Sequence, residues 1–114
     1  MSARGLLSQP VPPTAIVAMS DIVALGAHSF CGDRGIHIPN QVSLAGFDDI
    51  PESALVTPAL STVSQAGLEK GKKAGEILCS LIHKRAFEAH VVFEPQLVIR
   101  GSTGVVGAVR SSGS

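Results

Sequence analysis

Leu44-Ala45-Gly46-Phe47-Asp48-Asp49 is a short apolar run that ends, after a glycine, on two adjacent carboxylates. A strand that stops on two acids presents them where a ligand can meet them. The same kind of junction occurs upstream, where Ala15-Ile16-Val17-Ala18-Met19 gives way to Ser20-Asp21 and a helical pattern begins. The upstream run is too short for a helix and lacks alternation, as expected of a strand covered on both faces. As parallel neighbours in one sheet, the two runs would bring their polar ends side by side at the carboxyl edge, where open α/β sheets bind ligands.

Outward from these junctions the chain alternates strands and helices. Leu6 and Leu7 read as the last turns of a helix that Pro10, Pro12 and Pro13 forbid from continuing. Ser20 offers an N-cap hydroxyl and Asp21 a first-turn carboxylate to a helix reaching about Arg34, with Gly35 suited to the left-handed cap beyond it. On a helical wheel Val23, Ala27, Phe30 and Cys31 share one face while Ile22 and Leu25 point elsewhere, so this helix needs a second partner. Pro39-Asn40 marks the turn into a strand from Val42 to Phe47. Pro51 and Pro58 then frame a loop carrying Leu55 and Val56, followed by an extended piece from Ser61 to Gln65. Residues 67–84 form the cleanest helix, with Leu68, Ala74, Ile77, Leu78, Leu81 and Ile82 in one arc and a Glu69–Lys73 pair on the opposite side. Val91 to Arg100 reads as strand interrupted by Pro95, hence an edge strand or two short segments. The order predicts an α/β fold with a mostly parallel sheet and helices on both faces.

The chain has 114 residues, enough for one domain with a small core, and is 45% apolar with four Phe and no Trp or Tyr, which describes an aliphatic interior. Nine basic residues balance nine acidic ones, so the chain lacks the electrostatic footprint of phosphate-backbone binding. Lys70, Lys72, Lys73, Lys84 and Arg85 interleave with Glu69 and Glu76, the pattern of a solvated helix face. Cys31 and Cys79 sit singly in apolar helical contexts and read as buried reduced thiols rather than metal ligands. No signal pattern opens the chain and no apolar run approaches the roughly 18 residues of a membrane span, so the expected location is cytoplasmic with no membrane contact.

Two readings compete at the strand ends. Asp48 and Asp49 are either an acceptor pair for hydroxyl or amine donors, or an acidic turn capping local amides. Ser20 and Asp21 are explained by helix capping without any ligand. A third reading gathers Asp21, Asp48 and Asp49 around Mg²⁺, but no lysine or threonine after a later strand completes phosphoryl chemistry. His28, His37, His83 and His90 have no ligand spacing and read as surface residues; Gly67 to Lys73 has glycines without the spacing of a phosphate loop. The residues therefore point to no catalytic group, metal or cofactor.

Pro13-Thr14-Ala15-Ile16, Asp21 with Ala24-Leu25-Gly26, Val42-Ser43, Gly46-Phe47-Asp48-Asp49-Ile50, Leu60-Ser61-Thr62-Val63 with Gln65, and Leu97-Val98-Ile99-Arg100 with Ser102-Thr103 resemble, in order, the LacI/GalR family of bacterial transcriptional repressors. The resemblance runs from about residue 13 to 103. It implies the C-terminal part of an effector-binding core, an incomplete periplasmic-binding-protein-like (type I) subdomain that clasps a sugar-like small molecule against a second subdomain. The implied division is a truncated helix and Pro-rich linker (1–13), a partial C-terminal subdomain (14–103) and a flexible tail (104–114).

On that resemblance Asp48 hydrogen-bonds ligand hydroxyls, Gln65 approaches the cleft from a crossover segment and Ser20 takes a pocket position often held by Asn. Asp21 is the helix-start acid beside the pocket, it and Asp49 back the pocket or cap local amides, and the helix bearing Leu25 and the loop with Leu55 and Val56 resemble the surface of a homodimer. The helix-turn-helix through which relatives reach DNA, and most of the opposing subdomain, are absent. Gly101 stands where an acid is common. The implied function is that of a sensor in transcription regulation, not an enzyme. The alternatives are a fragment of a periplasmic-type sugar-binding protein or a non-functional truncated remnant.

Overall fold

The structure, a computed structural model, describes residues 2–88 and 90–106. Its centre is a parallel pair, β1 (Ala15–Val17) and β2 (Ser43–Ala45), in the register Ala15 to Ser43, Ile16 to Leu44 and Val17 to Ala45. The ladders are shorter than the apolar runs, but the pairing continues as single bonds: Ala18 N–H donates to Ala45 O and Asp21 N–H to Phe47 O, both at 2.9 Å. Strand β3 (Thr62–Ser64) runs parallel to the extension of β2 through bridges at Ala45–Ser61 and Asp48–Ser64, and β4 (Gln96–Val98) closes antiparallel on β3 directly after Pro95. A mostly parallel arrangement with an antiparallel edge results.

Helix α1 (Ala3–Leu7) precedes the proline turn, and α2 (Asp21–Arg34) begins and ends on the residues whose chemistry favours it. Ser20 is extended (φ −152°) and its hydroxyl accepts from Val23 N–H at 3.3 Å; Gly35 takes φ 69° and donates back to the last turn. The buried face of α2 is Asp21, Ala24, Ala27 and Cys31, which corrects the expected face containing Val23 and Phe30. Val23 is 59% exposed because the helix rolls its smallest residues onto the sheet. The sheet invites this at Gly46, where a β-carbon would come within 3.1 Å of Asp21 Cα and 3.2 Å of Ala24 Cβ. Leu44, Leu60, Ala18, Ala24 and Ala27 form the core, with Ile16, Leu25, Ile38 and Val56 packed on it. Burying a leucine as fully as Leu44 stabilises by roughly 1.5–3 kcal/mol.

Several expectations are corrected outside this core. Strand β1 is not covered on both faces: Val17 is 80% exposed and Met19 92%, since α2 packs only one side. Helix α3 (Gly67–Ile82) has the expected arc but buries no residue; Leu68, Leu78, Leu81 and Ile82 are all exposed, and Ala74 and Ile77 line a hollow together with Val91 and Phe93. Cys79, on this helix, is exposed rather than buried, whereas Cys31 is buried and burial raises its thiol pKa. Lys73 pairs with Glu76 at 3.5 Å, not with Glu69. His28 is half-buried rather than freely exposed: its Nε2 lies 3.1 Å from Pro58 O, tying α2 to the loop before β3. No helix among the described residues is long and apolar enough to cross a membrane. Residues 107–114 of the expected tail lie outside the described residues.

Candidate functional site

The bond from Asp21 N–H to Phe47 O sets the start of α2 beside the end of β2, so the backbone at Ser20 and at Asp48 meets at one edge of the sheet. There the chain makes an uncommon turn. Asp48 has φ 126° and Asp49 φ 59°, two consecutive non-glycine residues in the left-handed half of conformational space. Such residues cost on the order of 1–3 kcal/mol each, persist where surroundings over-determine them, and cluster at functional sites. Aspartate tolerates the conformation better than most residues.

Four bonds hold the turn. Asp48 N–H donates to Val63 O at 2.9 Å and Asp49 N–H to Thr62 Oγ1 at 3.3 Å. Gln65 Nε2 donates to Asp48 Oδ1, and Arg100 Nη2 donates to Asp49 Oδ1 at 2.9 Å while its Nη1 reaches Leu60 O. Asp48 remains exposed at the rim of an open hollow of about 680 Å³, lined by Asp48, Asp49, Ser64, Gln65, Ala66 and the first turn of α3. That helix begins on Ala66 in left-handed backbone with no side-chain cap. Asp48 and Gln65 thus come together as an acceptor and an amide able both to donate and to accept, a pair suited to hydroxyl groups.

Asp21 differs from both. It is fully buried, Oδ1 accepting from Thr62 Oγ1 and Oδ2 from Ser53 Oγ and from Ile50 N–H at 3.0 Å. Burial alone would raise its pKa, but the bonds from Ser53, Thr62 and the Ile50 and Asp49 amides outweigh it and hold the carboxyl below its ordinary value. The three carboxylates have different side-chain donors: Ser53 and Thr62 for Asp21, Gln65 for Asp48 and Arg100 for Asp49. Among the described residues no group of three or more His, Cys, Asp or Glu side chains converges as metal ligands.

Ser20 caps α2 and does not line the hollow that holds Asp48 and Gln65. Of the residues expected at a dimer surface, Leu25 and Val56 are half-buried against the core and Leu55 is 79% exposed. Sequence reasoning missed Ser53, Thr62 and Arg100. Arg100 carried a signal, since it ends an apolar run as Asp48 does; Ser53 and Thr62 became predictable only once Asp21 was known to be buried, because a buried carboxylate requires donors.

The family described as periplasmic binding protein-like domain matches residues 2–103. The HTH-type transcriptional repressor PurR of Pasteurella multocida is 36% identical over 98 residues, covering 85% of this chain and 29% of that protein. The lactose operon repressor of Rhizobium radiobacter is 33% identical over 100 residues, covering 88% of both. A LacI-type transcription regulator from Bifidobacterium animalis subsp. lactis superposes with a TM-score of 0.81 at 31% identity, over 90% of this chain and 37% of the other. The chain therefore spans less than a third of the length of PurR.

Proposed function

The chain belongs to the LacI/GalR family of bacterial transcriptional regulators, as part of its periplasmic binding protein-like core, and on that premise we propose that it forms one wall of an effector pocket. Asp48 accepts hydrogen bonds from effector hydroxyls and Gln65 aims it and adds a donor and an acceptor; Ser20 stands at the same sheet edge as a subsidiary polar contact. The observation that carries this reading is the Gln65–Asp48 pairing on a left-handed turn at the rim of the hollow. The effector is a sugar-like metabolite. Relatives named for lactose and ribose operons support that class.

In the regulator, effector binding changes the closure of this wall on an opposing one and so the spacing of DNA-binding heads supplied outside residues 1–114. A ligand can do this only through its differential affinity for the two closures. Leu25, Leu55 and Val56 serve the homodimer contact. The protein works in the cytoplasm, uses no cofactor and catalyses no reaction. One wall alone binds weakly, with a Kd of about 1 mM or above.

Titrating the 114-residue protein with ribose, lactose, a nucleoside and a purine base, followed by ¹⁵N–¹H NMR, tests the reading. Saturable shifts confined to Asp48, Gln65 and their neighbours, abolished by Asp48→Ala, are expected for one of the three hydroxyl-bearing ligands and not for the purine base. Shifts that ignore those residues, or that survive Asp48→Ala, overturn it.

A further inference from the structure

The turn that carries Asp48 is restrained unevenly. Asp48 N–H has a ladder bond to Val63 O, whereas Asp49 N–H is held from the core side, by the hydroxyl of Thr62 at 3.3 Å and by the Asp21 carboxylate. An ionised carboxylate can only accept. Asp21 Oδ1, 2.6 Å from Thr62 Oγ1, therefore obliges Thr62 to give its one proton inward, which turns the hydroxyl's lone pairs toward Asp49 N–H. Oδ2 takes Ile50 N–H and Ser53 Oγ in the same way. One buried charge, at the first residue of α2, thus reaches the residues on the far side of the Asp48–Asp49 turn.

We infer that Asp21 is a positioning residue of the proposed pocket: through Thr62 and Ile50 its charge sets the Asp48–Asp49 turn, and with it the direction in which Asp48 and Gln65 face the hollow. The inference rests on the reading of Asp48 as a ligand-binding residue. Its geometry, however, can be read without any ligand. A substitution that keeps the size and loses the charge separates this role from simple packing. In Asp21→Asn the new NH₂ either faces Thr62, whose hydroxyl proton then loses its buried acceptor and turns toward the Asp49 side, or faces Ile50 and Ser53 and sets donor against donor.

Hydrogen exchange and amide NMR on the whole 114-residue protein test the assignment. In Asp21→Asn, exchange at Asp48 and Asp49 N–H should rise about tenfold or more, the scale of one lost hydrogen bond. The Gln65 side-chain amide should move toward the position of a free glutamine, while Ala18 and Ser43 N–H in the β1–β2 ladder keep their protection. Thr62→Ser, which retains the hydroxyl, should match the parent protein. Thr62→Val should reproduce the Asp21→Asn pattern with Asp21 in place, and it decides the matter if Asp21→Asn does not fold. Unchanged Asp48, Asp49 and Gln65 signals in either folded variant, or an equal rise in exchange at Ala18 and Ser43, overturns the assignment. Failure of every sugar or nucleoside to bind leaves these readouts untouched, so the pocket and its positioning residue stand or fall separately.

Discussion

Helices α2 and α3 are of similar length, 14 and 16 residues, yet only the first buries any of its residues. Helix α2 mixes polar and apolar residues around its circumference and buries four of them, one a charged aspartate. Helix α3 separates its faces cleanly and buries none. A segregated apolar face states that a helix needs a partner; it does not state that the same chain supplies one. What fastens α2 is fine fit: alanines where the sheet comes closest, a glycine opposite them, and a carboxylate whose acceptors are met by donors from the 50–53 turn and β3.

The largest expected contrast sets the two regions against each other. Leu44→Ala should destabilise by about 3 kcal/mol through lost transfer energy and a residual cavity, whereas Leu78→Ala, at a position 58% exposed, should stay within about 0.5 kcal/mol. Urea denaturation reads both, and equal losses would break the distinction. Gly46→Ala comes next, at about 2 kcal/mol, because its methyl group has nowhere to go between Asp21 and Ala24; a melting temperature equal to the parent's would show that α2 can retreat.

Acid sharpens the comparison further. The folded state holds Asp21 below its ordinary pKa of 3.8, so it binds that proton more weakly than the unfolded chain does. Stability from Asp21 is therefore present above the unfolded value and fades as pH falls through the lower folded one. Melting temperature measured downward from pH 4 should drop steeply in the parent protein and less steeply in Asp21→Asn. The smallest effect belongs to α3: Glu76→Ala, which removes the exposed pair with Lys73, should cost only about 0.3 kcal/mol by thermal melting.

Much of the frame was legible from local chemistry. Ser20 and Gly35 bound α2 because an N-cap hydroxyl and a left-handed glycine act within one turn, and Gly46 followed by two acids marked the strand end that borders the hollow. Asp48 is legible in the same sense, as a strand-end acid, whereas Gln65, just beyond β3, came only through the family resemblance. What resisted reading depends on distant residues. The face of α2 turned by one position because Gly46, 22 residues beyond Ala24, admits small side chains and not Val23. Asp21 looked like a partner for the helix dipole, and its burial depends on Ser53 and Thr62 arriving from loops that no periodicity describes. Cys79 looked buried because α3 looked covered.

Ser102 ties these distant pieces together. Its hydroxyl donates to Leu44 O and accepts from Ser61 N–H at 2.8 Å, and its carbonyl accepts from Leu44 N–H at 2.9 Å, so a residue 58 positions away stitches β2 to the strand beside it. Contacts of such long range slow folding, since a large loop must close before any of them can form. During synthesis, β1, α2 and β2 can be made and yet stay unsealed until the ribosome has released Ser102.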